Sequence, residues 1–78
     1  MTQDDAIKWI AELFEETVDR ITPETKRDEI PGWDSLGILN LMAGLDEGFG
    51  ILLSEAEISK LHKVGDVLDI LNQHGKLS

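Results

Sequence analysis

Apolar residues recur along most of the chain at intervals of three or four positions, which is the spacing of amphipathic helices. No stretch alternates between apolar and polar residues as a half-buried strand does. The predicted helices run from Thr2 to about Val18, from Ser35 to about Glu47, briefly after Ser54, and from about Val64 to before Gly75. The fold class that follows is all-α, a four-helix bundle with three longer helices and one short third helix.

Capping signals mark where several of these helices start. Thr2 with Asp5, and Ser54 with Glu57, match the spacing of a capping box, in which two side chains satisfy the free backbone N–H groups of the first turn. Lys63 precedes the fourth helix and has no oxygen that could accept such a bond. The start of the fourth helix is therefore expected to be poorly capped.

A long connection is predicted between Asp19 and Trp33, where the helical pattern breaks. Thr22 and Pro23 suit the cap and first position of a short helical turn, since proline lacks only an N–H that would be unpaired there. Ile21 and Ile30 are expected to insert into the core and anchor this loop. Long loops in small domains are uncommon unless they are held or have a function.

The start of the second helix is the most informative stretch of the sequence. Asp34 is predicted to be the N-cap, and Trp33 with Ile38 has the spacing of a hydrophobic staple. Ser35 then becomes the first helical residue. Its hydroxyl is expected to point outward beside the positive end of the helix dipole, where a phosphate ester would be favourably placed.

Apolar residues cover more than one face of the second helix. One stripe is expected to face the core: Ile38, Leu41, Met42, Leu45 and Phe49. Such a helix is either fully buried or keeps a face for a partner, and this chain has few residues to cover it. The second apolar set is therefore predicted to form a docking surface, continued by two acidic residues: Leu36, Leu39, Ala43, Asp46 and Glu47. The alternatives are core packing for the leucines and a merely solvated helix end for the acids.

Charge narrows the possible partners. Sixteen Asp and Glu outnumber seven Lys and Arg in 78 residues, for a net charge of −9. This balance disfavours nucleic acid and anionic membrane surfaces, and it favours proteins with basic patches. The chain has no cysteine, and its first residues do not resemble a signal segment, so the expected location is the cytoplasm.

Catalytic and metal-binding patterns are not recognisable in the sequence. No nucleophile–base pair, catalytic carboxylate pair or phosphate-binding glycine loop can be assembled, so the chain is predicted not to be an enzyme. His62 and His74 are isolated. The run from Asp46 to Gly48 lacks the alternation of acidic residues and the terminal glutamate of a calcium loop, so no metal site is expected.

Asp34, Ser35 and Leu36, opening an apolar helix near the middle of a small acidic chain, resemble the motif of the acyl carrier protein family. The resemblance covers nearly the whole chain and implies one carrier domain over residues 1–78. It implies that Ser35 bears a covalent 4′-phosphopantetheine arm, added by a separate Mg²⁺-dependent phosphopantetheinyl transferase that Asp34 helps to engage. The arm would carry acyl groups as thioesters.

The resemblance also implies a set of partners. These are acyl-transfer, condensing or ligase enzymes with basic patches, in fatty-acid, polyketide or another specialised acyl biosynthesis, and the carrier is expected to be a monomer without membrane insertion. Housekeeping fatty-acid carriers place several acids along the second helix, whereas this chain has Gly37, Asn40, Gly44 and Gly48 there. Different client enzymes are therefore expected. Gly37 and Gly44 alternatively allow neighbouring segments to approach closely.

Two other functions stay open at this point. Within the same class, the cargo could be an aminoacyl or peptidyl group of a nonribosomal-type pathway. In a different class, the chain could be an unmodified helical interaction module that uses its acidic, apolar-flanked second helix to bind a basic partner.

Overall fold

The computed structural model describes the whole chain, residues 1–78, as a bundle of four α-helices without a strand. The helices are α1 (Gln3–Leu13), α2 (Ser35–Phe49), the short α3 (Glu55–Ser59) and α4 (Val64–Gln73). Two short 3-10 turns, Val18–Arg20 and Arg27–Glu29, lie in the connection between α1 and α2. The predicted fold class is confirmed. None of the helices combines the length and the apolar composition needed to cross a bilayer.

A single core joins the helices and the long connection. The connection contributes Ile21, Ile30 and Trp33, each at most 5% exposed, so the predicted anchoring by both isoleucines is confirmed. No polar or charged residue is buried with them. The other buried side chains are Ala6, Ile7, Ile10, Ala11, Phe14, Leu41, Leu45, Ile51, Ile58, Leu61, Val64, Val67, Leu68 and Leu71.

The first helix ends earlier than the sequence predicts. Instead of reaching Val18, α1 stops at Leu13, and Glu15 takes a left-handed conformation with φ of 56°. The Glu16 N–H donates back to the Ala11 carbonyl at 2.8 Å, which closes the helix end. The helical spacing of Ile7, Ile10, Phe14 and Val18 predicts that Val18 faces the core. Val18 is 44% exposed, so this prediction is wrong. The chain turns here because the α1 end packs against the loop before α2, a contact described below.

Two further boundaries differ from the predicted ones. Residues 22–25 form a hydrogen-bonded turn, with the Thr25 N–H donating to the Thr22 carbonyl at 3.0 Å, and the 3-10 turns lie on either side of it. A turn is therefore present at Thr22 and Pro23 as predicted, but it is a single hydrogen-bonded turn and not a helix. At its C-terminal end, α2 continues to Phe49, two residues beyond Glu47. Gly50 follows as the C-cap, with a φ of 67°, the left-handed conformation that glycine adopts easily.

The predicted caps are present. Thr2 Oγ1 accepts from the Asp5 N–H at 3.1 Å, and Ser54 Oγ accepts from the Glu57 N–H at 3.2 Å. Lys63 supplies no cap, as expected. Instead, the Asp66 carboxylate accepts from the N–H groups that precede α4, that of His62 at 2.8 Å and that of Lys63 at 3.3 Å.

Candidate functional site

The first turn of α2 is wedged against the end of α1. A Cβ on Gly37 would lie 1.9 Å from the Gly32 carbonyl oxygen, and a Cβ on Gly32 would lie 2.0 Å from the Phe14 carbonyl oxygen. Only glycine allows both approaches. Above them, the Trp33 ring stacks on the Phe14 ring with centroids 4.9 Å apart and planes 15° apart. These contacts fix the position of the residues that follow.

Asp34 caps α2 as the sequence predicts. Its Oδ1 accepts from the Gly37 N–H at 2.9 Å, which satisfies one of the free donors of the first turn. The N–H groups of Ser35 and Leu36 have no hydrogen-bond acceptor within the chain. Free N–H groups and the helix dipole together favour negative charge at this point.

Ser35 is the first residue of α2 and lies exposed at the surface. Its neighbour Leu36 is 67% exposed, which is high for a large apolar side chain. The Ser35 hydroxyl is therefore accessible to another protein. Its backbone is held in place by the packed glycines and the Asp34 cap.

A groove of about 350 Å³ runs between α2 and α3 and opens beside Ser35; we call it the α2–α3 groove. Its lining residues are Arg27, Ser35, Ile38, Leu39, Met42, Glu55, Ile58 and Ser59. The sequence indicates Ile38, Leu39 and Met42 through their helical spacing. It gives no signal for Arg27 or Ser59, because these come from other segments that only the fold brings to Ser35.

The predicted docking residues are all exposed but do not share one groove. Leu39, 61% exposed, lines the α2–α3 groove. Ala43 and Glu47 line a second groove of about 380 Å³, between α1 and α2. Leu36 lies near the start of α2, and Asp46 lines neither groove. The outer face of α2 is thus an exposed ridge between two grooves.

The glycines of α2 differ in their surroundings. A Cβ on Gly44 would lie 3.0 Å from Cζ2 of Trp9, so this glycine lets α1 and α2 approach closely, as Gly37 does for α2 and the loop before it. Trp9 in turn meets Phe49 edge to face, with ring centroids 5.1 Å apart. Around Gly48 there is no atom within 4 Å of the Cβ position, so no contact requires glycine there.

The fold and the site together define a small acidic helical bundle that presents a hydroxyl and an apolar helix face at its surface. No family model matches the chain. Among curated proteins, the chain is 36% identical over 73 residues to an acyl carrier protein homolog of Mycoplasmopsis pulmonis, covering 91% of this chain and 99% of the relative.

Two further relatives are described as acyl carrier proteins. The acyl carrier protein of Thermosynechococcus vestitus is 33% identical over 63 residues, 81% of this chain and 78% of the relative. That of Rickettsia bellii is 29% identical over 68 residues, 87% of this chain and 79% of the relative. The chain belongs to the acyl carrier protein family, and it is a carrier rather than an enzyme.

Proposed function

We propose that residues 1–78 act as one carrier domain, in which Ser35 bears a 4′-phosphopantetheine arm that holds acyl groups as thioesters. The observation that carries this proposal is the exposed Ser35 hydroxyl at the start of a capped helix in a chain of this family. The arm supplies the thiol that binds the cargo. The protein supplies the attachment point and the surface that partners recognise.

The surroundings of Ser35 suit a phosphate ester. The unpaired N–H groups of Ser35 and Leu36 and the positive end of the α2 dipole favour a negative charge beside the hydroxyl. The Asp34 carboxylate accepts only from the Gly37 N–H, and the first turn of α2 itself contains no acidic residue, so the other two donors stay available. Asp34 has a structural role as the cap, and we propose that it also helps the transferase to engage.

The α2–α3 groove suits the beginning of an acyl chain. Ile38, Met42 and Ile58 offer apolar surface directly beside the attachment point. Methionine is flexible and adapts to ligands of different shape, so a small bundle with Met42 in this wall can admit a chain between its helices. We propose that the acyl chain enters the bundle through this groove.

The ridge of α2 is the proposed surface for partners. Leu36 and Leu39 place large apolar side chains in solvent, and Asp46 and Glu47 add negative charge further along the helix. Ala43 lies between them. The complementary partners are the phosphopantetheinyl transferase and acyl-transfer, condensing or ligase enzymes with basic patches. The carrier is proposed to be a monomer in the cytoplasm. Fatty-acid, polyketide and aminoacyl or peptidyl cargo are all compatible with this surface.

Intact mass spectrometry tests the modification. Co-expression with a phosphopantetheinyl transferase of broad specificity is expected to add the mass of one arm to the parent and none to Ser35→Ala. Ser59→Ala is the matched control, because Ser59 is also an exposed serine lining the α2–α3 groove. It should be loaded like the parent.

The same measurement separates the classes of function. An unchanged parent mass contradicts the proposal and leaves an unmodified acidic interaction module. An increment that persists in Ser35→Ala contradicts Ser35 as the attachment point. The mass of the loaded form isolated from its own cell then distinguishes acyl from aminoacyl or peptidyl cargo.

A further inference from the structure

Arg27 is the one basic residue that lines the groove beside Ser35. The chain has seven Lys and Arg, and the other six do not line the α2–α3 groove. Arg27 is half-buried, and no carboxylate lies within 4 Å of its guanidinium; the one ion pair of the chain joins Arg20 and Glu16. Glu55 lines the same groove without pairing with Arg27. The Arg27 guanidinium is therefore not paired with a carboxylate of the chain and is free to bind an anion in the groove.

The backbone of Arg27 is fixed by hydrogen bonds to another part of the fold. Its N–H donates to the His62 carbonyl at 2.7 Å, and the Val64 N–H donates to the Thr25 carbonyl at 2.9 Å. On the other side, the Lys26 N–H donates to Glu29 Oε1 at 2.9 Å. The backbone of Arg27 is therefore held in place before any ligand binds, so only its side chain has to be ordered by binding.

The same hydrogen bonds gather positive charge around Arg27. A second cleft, of about 670 Å³, lies next to the α2–α3 groove. Its charged lining residues are Lys26, Arg27 and Lys63, with Asp28 as the one carboxylate among them. Three of the seven Lys and Arg of an acidic chain thus line one cleft. Arg27 belongs to both cavities, so it places this positive charge at the groove that opens at Ser35.

We propose that Arg27 is a positioning residue that binds the phosphate of the arm on Ser35; this inference rests on the proposed function. A phosphodiester at the Ser35 hydroxyl would bring a negative charge into the groove that Arg27 lines. A guanidinium binds two phosphate oxygens at once in a planar geometry, which a lysine does not reproduce. Holding the phosphate on this side directs the arm toward the α2–α3 groove and away from the groove between α1 and α2.

Phosphorus and nitrogen NMR of the arm-bearing protein test this inference. The ³¹P resonance of the arm is expected to shift in Arg27→Gln and to shift less in Arg27→Lys. Lys26→Gln is the matched control, because Lys26 lies next to Arg27 and lines the 670 Å³ cleft but not the α2–α3 groove. Its ³¹P resonance should coincide with that of the parent.

A measurement on the unmutated protein complements the variants. The Arg27 Nε–H resonance is expected to exchange with water more slowly in the arm-bearing form than in the unmodified form. If Arg27→Gln does not fold, this comparison alone decides the question.

The outcomes separate this inference from the function on which it rests. An unchanged ³¹P shift in Arg27→Gln, or equal Nε–H exchange in both forms, overturns the role of Arg27 while the arm remains visible in the intact mass. Absence of the arm from the intact mass overturns the proposed function and this inference together.

Discussion

The first turn of α2 is packed against the end of α1, whereas the outer side of the last turn of α2 is open to solvent. Gly37 lies where a Cβ would collide with the Gly32 carbonyl, and Gly48 lies where a Cβ would meet nothing within 4 Å. Packing therefore requires glycine at position 37 and does not require it at position 48. At the end that carries Ser35, tertiary contacts leave no room for a methyl group, whereas the outer side of the far end has space for one.

Gly37→Ala is expected to have the largest effect, because the new methyl group would overlap a backbone carbonyl that cannot rotate away. Overpacking of this kind costs about 3 kcal/mol, at the upper end of the usual range. Urea unfolding followed by circular dichroism measures the loss. A change below about 0.5 kcal/mol, which is usual for surface substitutions, would show that the start of α2 is not wedged against the loop.

Asp34→Ala is expected to lower the free energy of unfolding of the unmodified protein by about 0.5–2 kcal/mol, because the Gly37 N–H loses its acceptor. Thermal and urea unfolding measure the effect. Asp46→Ala is the control, since Asp46 is an exposed aspartate further along α2 that caps no helix. Equal stability of parent and Asp34→Ala would refute the capping role.

Gly48→Ala is expected to raise the free energy of unfolding by about 0.5–1 kcal/mol, because alanine loses less backbone entropy in a helix and the site has space for its methyl group. The same unfolding curves measure the gain. A loss of stability would mean that the end of α2 needs glycine for a contact, and the contrast with Gly37 would no longer hold.

Leu39→Glu is expected to have the smallest effect on stability, within about 0.5 kcal/mol, because the side chain is 61% exposed. If the ridge of α2 is the docking surface, transfer of cargo to partner enzymes slows in this variant, as it does in Glu47→Lys. Transfer rates and circular dichroism are measured together.

Leu52→Glu is the control for docking, because Leu52 is 78% exposed in the loop between α2 and α3, outside the predicted surface. Unfolding of Leu39→Glu would place Leu39 in the core. Equal slowing by Leu39→Glu and Leu52→Glu would show that the effect is not specific to the ridge.

Local signals explain why the start of α2 could be predicted. A capping aspartate, a first helical serine and an apolar repeat lie within a few residues of one another, and their geometry follows from the backbone of one helix. The exposure of Leu36 and Leu39 could also be predicted, because a short chain cannot cover two faces of one helix. Both are exposed in the structure.

The end of α1 could not be predicted in this way. The apolar spacing continues to Val18, but the helix stops at Leu13 because Phe14 packs against Gly32 and Trp33 from a distant part of the chain. A contact between distant segments does not change the apolar spacing of the sequence, so the spacing could not indicate it. The staple expected between Trp33 and Ile38 likewise gave no hint that Trp33 stacks on Phe14.

The sequence alone determined the helical class, the capped start of α2 and the exposed serine with its apolar neighbours, because each depends on residues within one or two turns. Only the tertiary structure decided which segments surround that serine. Arg27, Glu55 and Ser59 reach the α2–α3 groove through a loop pinned to the start of α4 and through the short α3. Contacts between residues far apart in the chain depend on how the whole core packs, and local spacing does not encode them.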